Sequence, residues 1–165
     1  MKKIAIAVLL SAFVAAPAVA ADMYVGMNVG SAKIDSPGFE SSTSFALLGG
    51  YTFSENVAAE IAYSNFGSES GAGITSKSSA VSISGVGSYP VNEQFSLFAK
   101  LGFAITTLEL PTFASDNKSD LTFGFGGQFN VDKQIGIRVS YDVYKVGSVN
   151  SADQKVMSIG GVFKF

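Results

Sequence analysis

Apolar and polar residues alternate with a period of two along most of the chain after residue 20, and the alternation falls into eight segments. In the first, Met23, Val25, Met27 and Val29 share one face, with Tyr24, Gly26, Asn28 and Gly30 on the other. The second sets Phe45, Leu47, Gly49, Tyr51 and Phe53 against Ala46, Leu48, Gly50 and Thr52, and the third sets Val57, Ala59, Ile61 and Tyr63 against Ala58, Glu60, Ala62 and Ser64. The fourth is less regular, with Val81, Ile83 and Tyr89 opposing Ser82, Ser84, Val86 and Ser88. The last four begin near Phe95, Leu121, Ile135 and Met157 and repeat the pattern more strongly. Their polar faces carry Lys100, Gly124, Gln128, Arg138, Asp142 and Ser158.

The connections alternate in length. Residues 54–56, 90–94 and 132–134 are tight turns, whereas 33–42, 67–78, 108–120 and 145–154 are longer and rich in Gly, Ser, Asp and Asn. Short turns at one end, long loops at the other and an even strand count put both termini on the same side. Each segment has about the ten residues a tilted strand needs to cross a bilayer. The expected fold is all-β: an eight-stranded antiparallel up-and-down transmembrane β-barrel over 21–165, with its short turns and termini in the periplasm.

Composition decides which face meets lipid. Hydrophobic residues make up 47% of the chain and charged residues 15%, yet after residue 20 there is no run of even ten apolar residues, where a membrane helix needs about twenty. A soluble barrel would turn the bulky face inward and leave Glu60, Lys100, Arg138 and Asp142 to water. Too few charges would then coat its exterior. The bulky face is therefore expected to meet lipid. Tyr51, Phe53, Tyr89, Phe95, Phe129, Phe163 and Phe165 share that face, all at strand ends beside a short turn or the C-terminus. They read as a periplasmic aromatic girdle at the membrane boundary.

Residues 1–20 read as a cleaved signal peptide. Lys2 and Lys3 precede an apolar stretch from Ile4 to Val14, and Ala18-Val19-Ala20 supplies the small-x-small cleavage pattern. Its removal takes two of the eleven basic residues, leaving nine against thirteen acidic ones, a net charge of −4. That balance argues against a nucleic-acid partner, which needs a positively charged face. Cysteine and histidine are both absent, removing disulfides, Cys nucleophiles, Ser-His-Asp hydrolysis and His-based metal sites. No nucleophile–base spacing stands out, and neither a cofactor nor a metal is expected.

Met23-Tyr24-Val25-Gly26, Gly49-Gly50-Tyr51, Ala59-Glu60-Ile61-Ala62-Tyr63, Phe98-Ala99-Lys100-Leu101-Gly102 and the terminal Gly161-Val162-Phe163-Lys164-Phe165 resemble the small opacity-protein and OmpA/OmpX-like barrels of Gram-negative outer membranes. The resemblance covers the whole chain after residue 20. It implies an outer-membrane location and a lumen blocked by charged pairs. It also implies an assembly signal in Gly161, Phe163 and Phe165 for the barrel-assembly machinery. The peptidoglycan-binding domain of the larger OmpA-like proteins is not expected to accompany this barrel.

Two charged sets remain to be placed. Glu60, Lys100, Arg138 and Asp142 carry inward parity, two of each sign, and unpaired charge in a narrow lumen costs several kcal/mol. They read either as a salt-bridge plug or as a gate along a narrow ion path. Lys33, Lys77, Lys145 and Lys155 carry lipid-facing parity at the outer strand ends. Barrel closure brings Lys33, Lys145 and Lys155 together, as a contact for lipopolysaccharide phosphate or as rim lysines solvated at the interface. Glu109, Asp116 and Asp120 match no calcium motif. Two functions follow: a plugged structural or surface-interaction (adhesin-like) protein meeting a host or surface ligand through its outer loops, or a narrow porin-like channel.

Overall fold

The computed structural model describes residues 22–34, 41–71, 74–110, 113–145 and 153–165; the expected signal peptide lies outside them. Eight strands follow in order: β1 (Met23–Ile34), β2 (Ser42–Ser54), β3 (Val57–Gly71), β4 (Ile74–Pro90), β5 (Phe95–Leu110), β6 (Phe113–Asn130), β7 (Ile135–Tyr144) and β8 (Gln154–Lys164). Each pairs antiparallel with the next, and β1 pairs with β8, giving a closed barrel. Closure satisfies backbone donors and acceptors between strands, which is what lets a sheet cross a bilayer.

The stagger of this closure can be read from the register. From Tyr24, partners run through Gly50, Glu60, Ser84, Gly102, Thr122, Tyr144 and Gln154 and return to β1 at Ile34, ten residues from the start. Eight strands staggered this way tilt about 40° from the barrel axis and leave room inside only for side chains.

Two of the short turns are built alike. Asn92 Oδ1 accepts from the backbone N–H of Gln94 and Phe95 at 2.9 and 2.7 Å. Asp132 Oδ1 accepts from Gln134 and Ile135 at 2.7 Å each. An Asx side chain that satisfies two successive donors stabilises a tight reversal.

The alternation divides as expected. Odd positions such as Met27, Ile83, Leu101, Phe103 and Met157 are exposed on the barrel exterior, while Asn28, Glu60, Ser82, Arg138 and Ser158 are buried inside. Two expected loops, however, are largely strand. β3 continues to Gly71 and β4 begins at Ile74; β5 continues to Leu110 and β6 begins at Phe113. Along these segments the sequence shows no apolar alternation, although backbone pairing continues.

The result is a lopsided barrel. β4 and β6 have 17 and 18 residues, whereas β7 and β8 have 10 and 11. Pairing of β2 with β3 ends at Phe45–Asn65, and pairing of β6 with β7 ends at Thr122–Tyr144. Beyond those points β3, β4, β5 and β6 rise as a four-stranded wall. On its flanks, among the described residues, 68–71 of β3 pairs with β4 alone and 113–120 of β6 with β5 alone. A register shift between Asn65 and Ser68 marks the base of the wall on β3. There Gly67 adopts a positive φ of 76°, a conformation that L side chains rarely take.

Candidate functional site

The lumen is filled in layers. Toward the short turns, Tyr24, Leu48, Ala58, Ala62, Val86, Phe98 and Val162 form one buried apolar cluster. Toward the outer end, Ala32, Phe66, Ala80, Ala104, Tyr144 and Val156 form a second. Phe66 is fully buried, and its ring meets Tyr144 edge to face at 5.0 Å. The inward charges begin beside the first cluster, where Arg138 stands over Tyr24 and Phe98, and run toward the second.

Glu60 of β3 is the hub. Its Oε2 accepts from Arg138 Nη1 of β7 at 2.6 Å and from the Tyr24 hydroxyl at 3.1 Å. Its Oε1 meets Lys100 Nζ of β5 at 3.5 Å, and the same ammonium lies 2.9 Å from Asp142 Oδ1. All four sequence-derived charges thus join in one chain, Arg138–Glu60–Lys100–Asp142, with signs alternating. Such a chain offsets desolvation where further hydrogen bonds satisfy the charges, and Arg138, Glu60 and Asp142 have them.

Those partners continue it in both directions. Arg138 Nε and Nη2 donate to Gln128 Oε1 at 3.2 and 3.0 Å, Gln128 Nε2 donates to Asn130 Oδ1 at 2.8 Å, and Lys164 Nζ donates to the same oxygen at 3.2 Å. At the other end Ser140 Oγ donates to Asp142 Oδ2 at 2.9 Å and lies 2.9 Å from Ser158 Oγ. The Arg138 guanidinium also stands over two rings, 4.7 Å from Phe98 and 5.4 Å from Tyr24, positions where a cation is attracted to the ring face.

Tyr24, Phe98 and Gln128 were not singled out by sequence reasoning. Their inward parity was visible, and for Tyr24 and Phe98 a bulky ring on a face rich in small and polar residues was the available signal. Glycine supplies the space they need. Tyr24 sits opposite Gly50, Lys100 opposite Gly124 and Gly124 opposite Asp142. A Cβ at Gly50 would strike the Tyr24 ring, and one at Gly124 would strike the Asp142 carboxylate and the Lys100 stem.

Space in the lumen is unequal at its two ends. A vestibule of about 640 Å³ opens at the short-turn end, reaching Arg138, Gln128 and Lys164 and floored by Tyr24 and Phe98. On the outer side of the ionic chain a cavity of about 20 Å³ lies among Asn28, Ser64, Lys100, Asp142 and Tyr144, room for about one water. Among the described residues no acid cluster could hold a metal.

The aromatic set lies where sequence places it along the strands. Phe53, Tyr89, Phe129, Phe163 and Phe165 are exposed, and Tyr51 and Phe95 are half-buried. Tyr51 meets Phe53 edge to face at 5.1 Å, Phe163 meets Phe165 at 5.3 Å, and Phe95 is cross-strand partner to Phe129. Gly161, in the expected assembly signal, is exposed. Lys33 and Lys145 are exposed and Lys155 half-buried at the outer rim, with Lys33 directly opposite Lys155.

The family model described as outer membrane protein beta-barrel domain matches residues 5–165. No curated protein matches the chain. Among solved structures, Neisserial surface protein A is similar at 15% identity with a TM-score of 0.71, covering 87% of this chain and 97% of that one. The N-terminal β-barrel domain of Pseudomonas aeruginosa OprF is similar at 11% identity with a TM-score of 0.62, covering 86% and 97%. Ail, the attachment invasion locus protein of Yersinia pestis, is similar at 20% identity with a TM-score of 0.58, covering 87% and 97%. Ail has also been crystallised in complex with the heparin analogue sucrose octasulfate.

Proposed function

The chain belongs to the outer membrane protein β-barrel domain family and resides in the outer membrane, and from that premise we propose a barrel sealed by its own side chains, with a structural and surface-interaction role. The observation that carries the seal is the chain Arg138–Glu60–Lys100–Asp142, which runs from beside the first apolar cluster toward the second. An ion crossing the lumen would have to break charge-assisted bonds and then displace Phe66 and Tyr144. No catalytic role is assigned.

Surface interaction is assigned to the wall of β3–β6. Its outer edges, which have no second neighbouring strand among the described residues, offer backbone donors and acceptors to an extended segment of a host or surface ligand, an adhesin-like mode that adds a strand to the sheet. The sulfated ligand of Ail is a precedent for ligand binding on this fold. In this reading residues 1–20 are removed on export, so the mature N-terminus is Ala21. Gly161, Phe163 and Phe165 engage the barrel-assembly machinery, and the aromatic girdle seats the periplasmic end.

A second reading, a narrow channel, is favoured by one observation. The vestibule reaches Arg138 from the periplasmic side, so only the ionic chain and the outer apolar layer separate it from the exterior. Conductance of the purified protein in planar bilayers distinguishes the two. The sealed reading expects no steady current, and an ohmic, ion-selective current from the wild type would replace it with the channel reading.

A further inference from the structure

The vestibule at the short-turn end holds a cation that the ionic chain does not neutralise. Between the short turns and the outer apolar layer, the inward strand positions carry three bases, Lys100, Arg138 and Lys164, and two acids, Glu60 and Asp142. The first two bases pair with the two acids, and among the described residues no carboxylate forms an ion pair with Lys164. Its Nζ donates instead to Asn130 Oδ1, and Arg138 meets the same amides from the other side through Gln128. Two cations therefore flank two neutral amides. The three short turns, the start of β1 and the end of β8, which frame this mouth, are all described, and residues 1–21 contain no acidic side chain.

The space beside Lys164 is that of a small-molecule site. About 640 Å³ is open there, within the range in which such ligands are held. Polar and apolar side chains share the lining. Asn130 Oδ1 is the acceptor in both of its hydrogen bonds, which leaves its amide nitrogen free to donate. Val162 lies two residues before Lys164 on the same face of β8 and joins Phe98 and Val86 in the apolar cluster that also lines the vestibule. Glu55 and Glu93 stand at the mouth, both exposed. Two solvated carboxylates at the entrance and one excess cation inside favour a single negative charge over a dianion.

We propose that the vestibule is a periplasmic binding site for a small organic monoanion, a carboxylate carrying an apolar body. The carboxylate lies on Lys164 Nζ and Asn130 Nδ2, with the charge of Arg138 behind them, and the body lies against Phe98, Val86 and Val162. Binding gives an ammonium that has one neutral protein acceptor a charge-assisted partner. The compartment rests on the orientation that puts the short turns in the periplasm, whereas the site itself needs only the vestibule. A conducting wild type would leave the site standing, and failure to bind would leave the seal standing.

The test follows the amide signals of Lys164 and Asn130 by TROSY NMR in isotope-labelled barrel purified from outer membranes, titrated in parallel arms with benzoate, benzamide, acetate and inorganic phosphate. Benzoate should shift both signals saturably, with a Kd in the millimolar range. Benzamide, which lacks the charge, and acetate, which lacks the body, should each bind about tenfold more weakly or worse. Absence of a saturable benzoate shift, or equal binding of benzamide, would overturn the site. Equal binding of acetate or phosphate would reduce it to a simple anion contact and overturn the organic ligand. Lys164→Gln should weaken benzoate by about tenfold, and Lys164→Arg should retain it. Asn130→Asp should abolish binding although it removes no cation, because it sets a carboxylate of the protein on Lys164. Unchanged binding in Lys164→Gln or in Asn130→Asp would overturn the proposal. Heat-modifiable gel migration reports whether each variant is folded, and if Lys164→Gln does not fold, Asn130→Asp decides.

Discussion

Arg138 Nη1 lies 2.6 Å from Glu60 Oε2, joining β7 to β3 across the lumen between residues 78 apart in sequence. The pair is shielded from water, and each partner is held by further hydrogen bonds, Glu60 from Tyr24 and Arg138 to Gln128. Removing either member leaves the other as a buried, uncompensated charge. Urea titration of the protein folded into phospholipid vesicles should therefore find Glu60→Gln and Arg138→Met each destabilised by about 3–5 kcal/mol. The double variant should lose less than the sum of the singles, and strict additivity would mean that the pair is not coupled.

Two glycines, Gly124 inside the lumen and Gly87 on the barrel exterior, make contrasting predictions. Gly124→Val places atoms against Asp142 and Lys100, and overpacking of this kind costs ~1–3 kcal/mol. Gly87→Ala adds a methyl where no atom lies within 4 Å. The same titration should find it neutral or stabilised by about 0.4–1 kcal/mol through the unfolded chain.

The two ends of the lumen should differ in chemical access. The chain has no cysteine, so a single introduced thiol is a clean probe. Ser96→Cys lines the vestibule and should react rapidly with a membrane-impermeant thiosulfonate, whereas Ala80→Cys, in the outer apolar layer beside Phe66, should resist it. Mass spectrometry of the folded, reconstituted protein reads both. Equal labelling would mean that water passes the ionic chain.

Phe165 separates assembly from stability. Its ring rests on Phe163, and its backbone N–H donates to the Met23 carbonyl at 3.0 Å, a bond that does not need the side chain. Phe165→Ala should therefore refold into vesicles with near-native yield in vitro. In cells, the amount of heat-modifiable barrel in the outer membrane should fall several-fold. A comparable loss in both settings would assign the ring to stability alone.

What the sequence made legible follows from where the two solvents are. Between Met23 and Val29, or Phe95 and Ile105, one face meets lipid and the other a packed lumen, and the contrast writes itself into every second residue. In 68–71 and 113–120 the sequence carries no such alternation, so paired strand reads as loop. Glu60, Lys100, Arg138 and Asp142 were legible as inward charges of balanced sign. Their partners were not, because parity gives the face and not the height. The ten-residue stagger decides that Glu60 on β3 meets Arg138 on β7 and that Tyr24 reaches both, and it belongs to the closed barrel rather than to any one strand.

The seal is tested most directly by single-channel recording of three proteins in planar bilayers: wild type, Glu60→Ala, and Glu60→Ala combined with Phe66→Ala. With the hub carboxylate gone, Arg138 and Lys100 lose their shared partner while the outer apolar layer stays in place. Wild type should pass no steady current, Glu60→Ala should flicker open, and the double variant should conduct steadily. Steady current through the wild type, or silence in all three folded proteins, would contradict a lumen closed by these side chains.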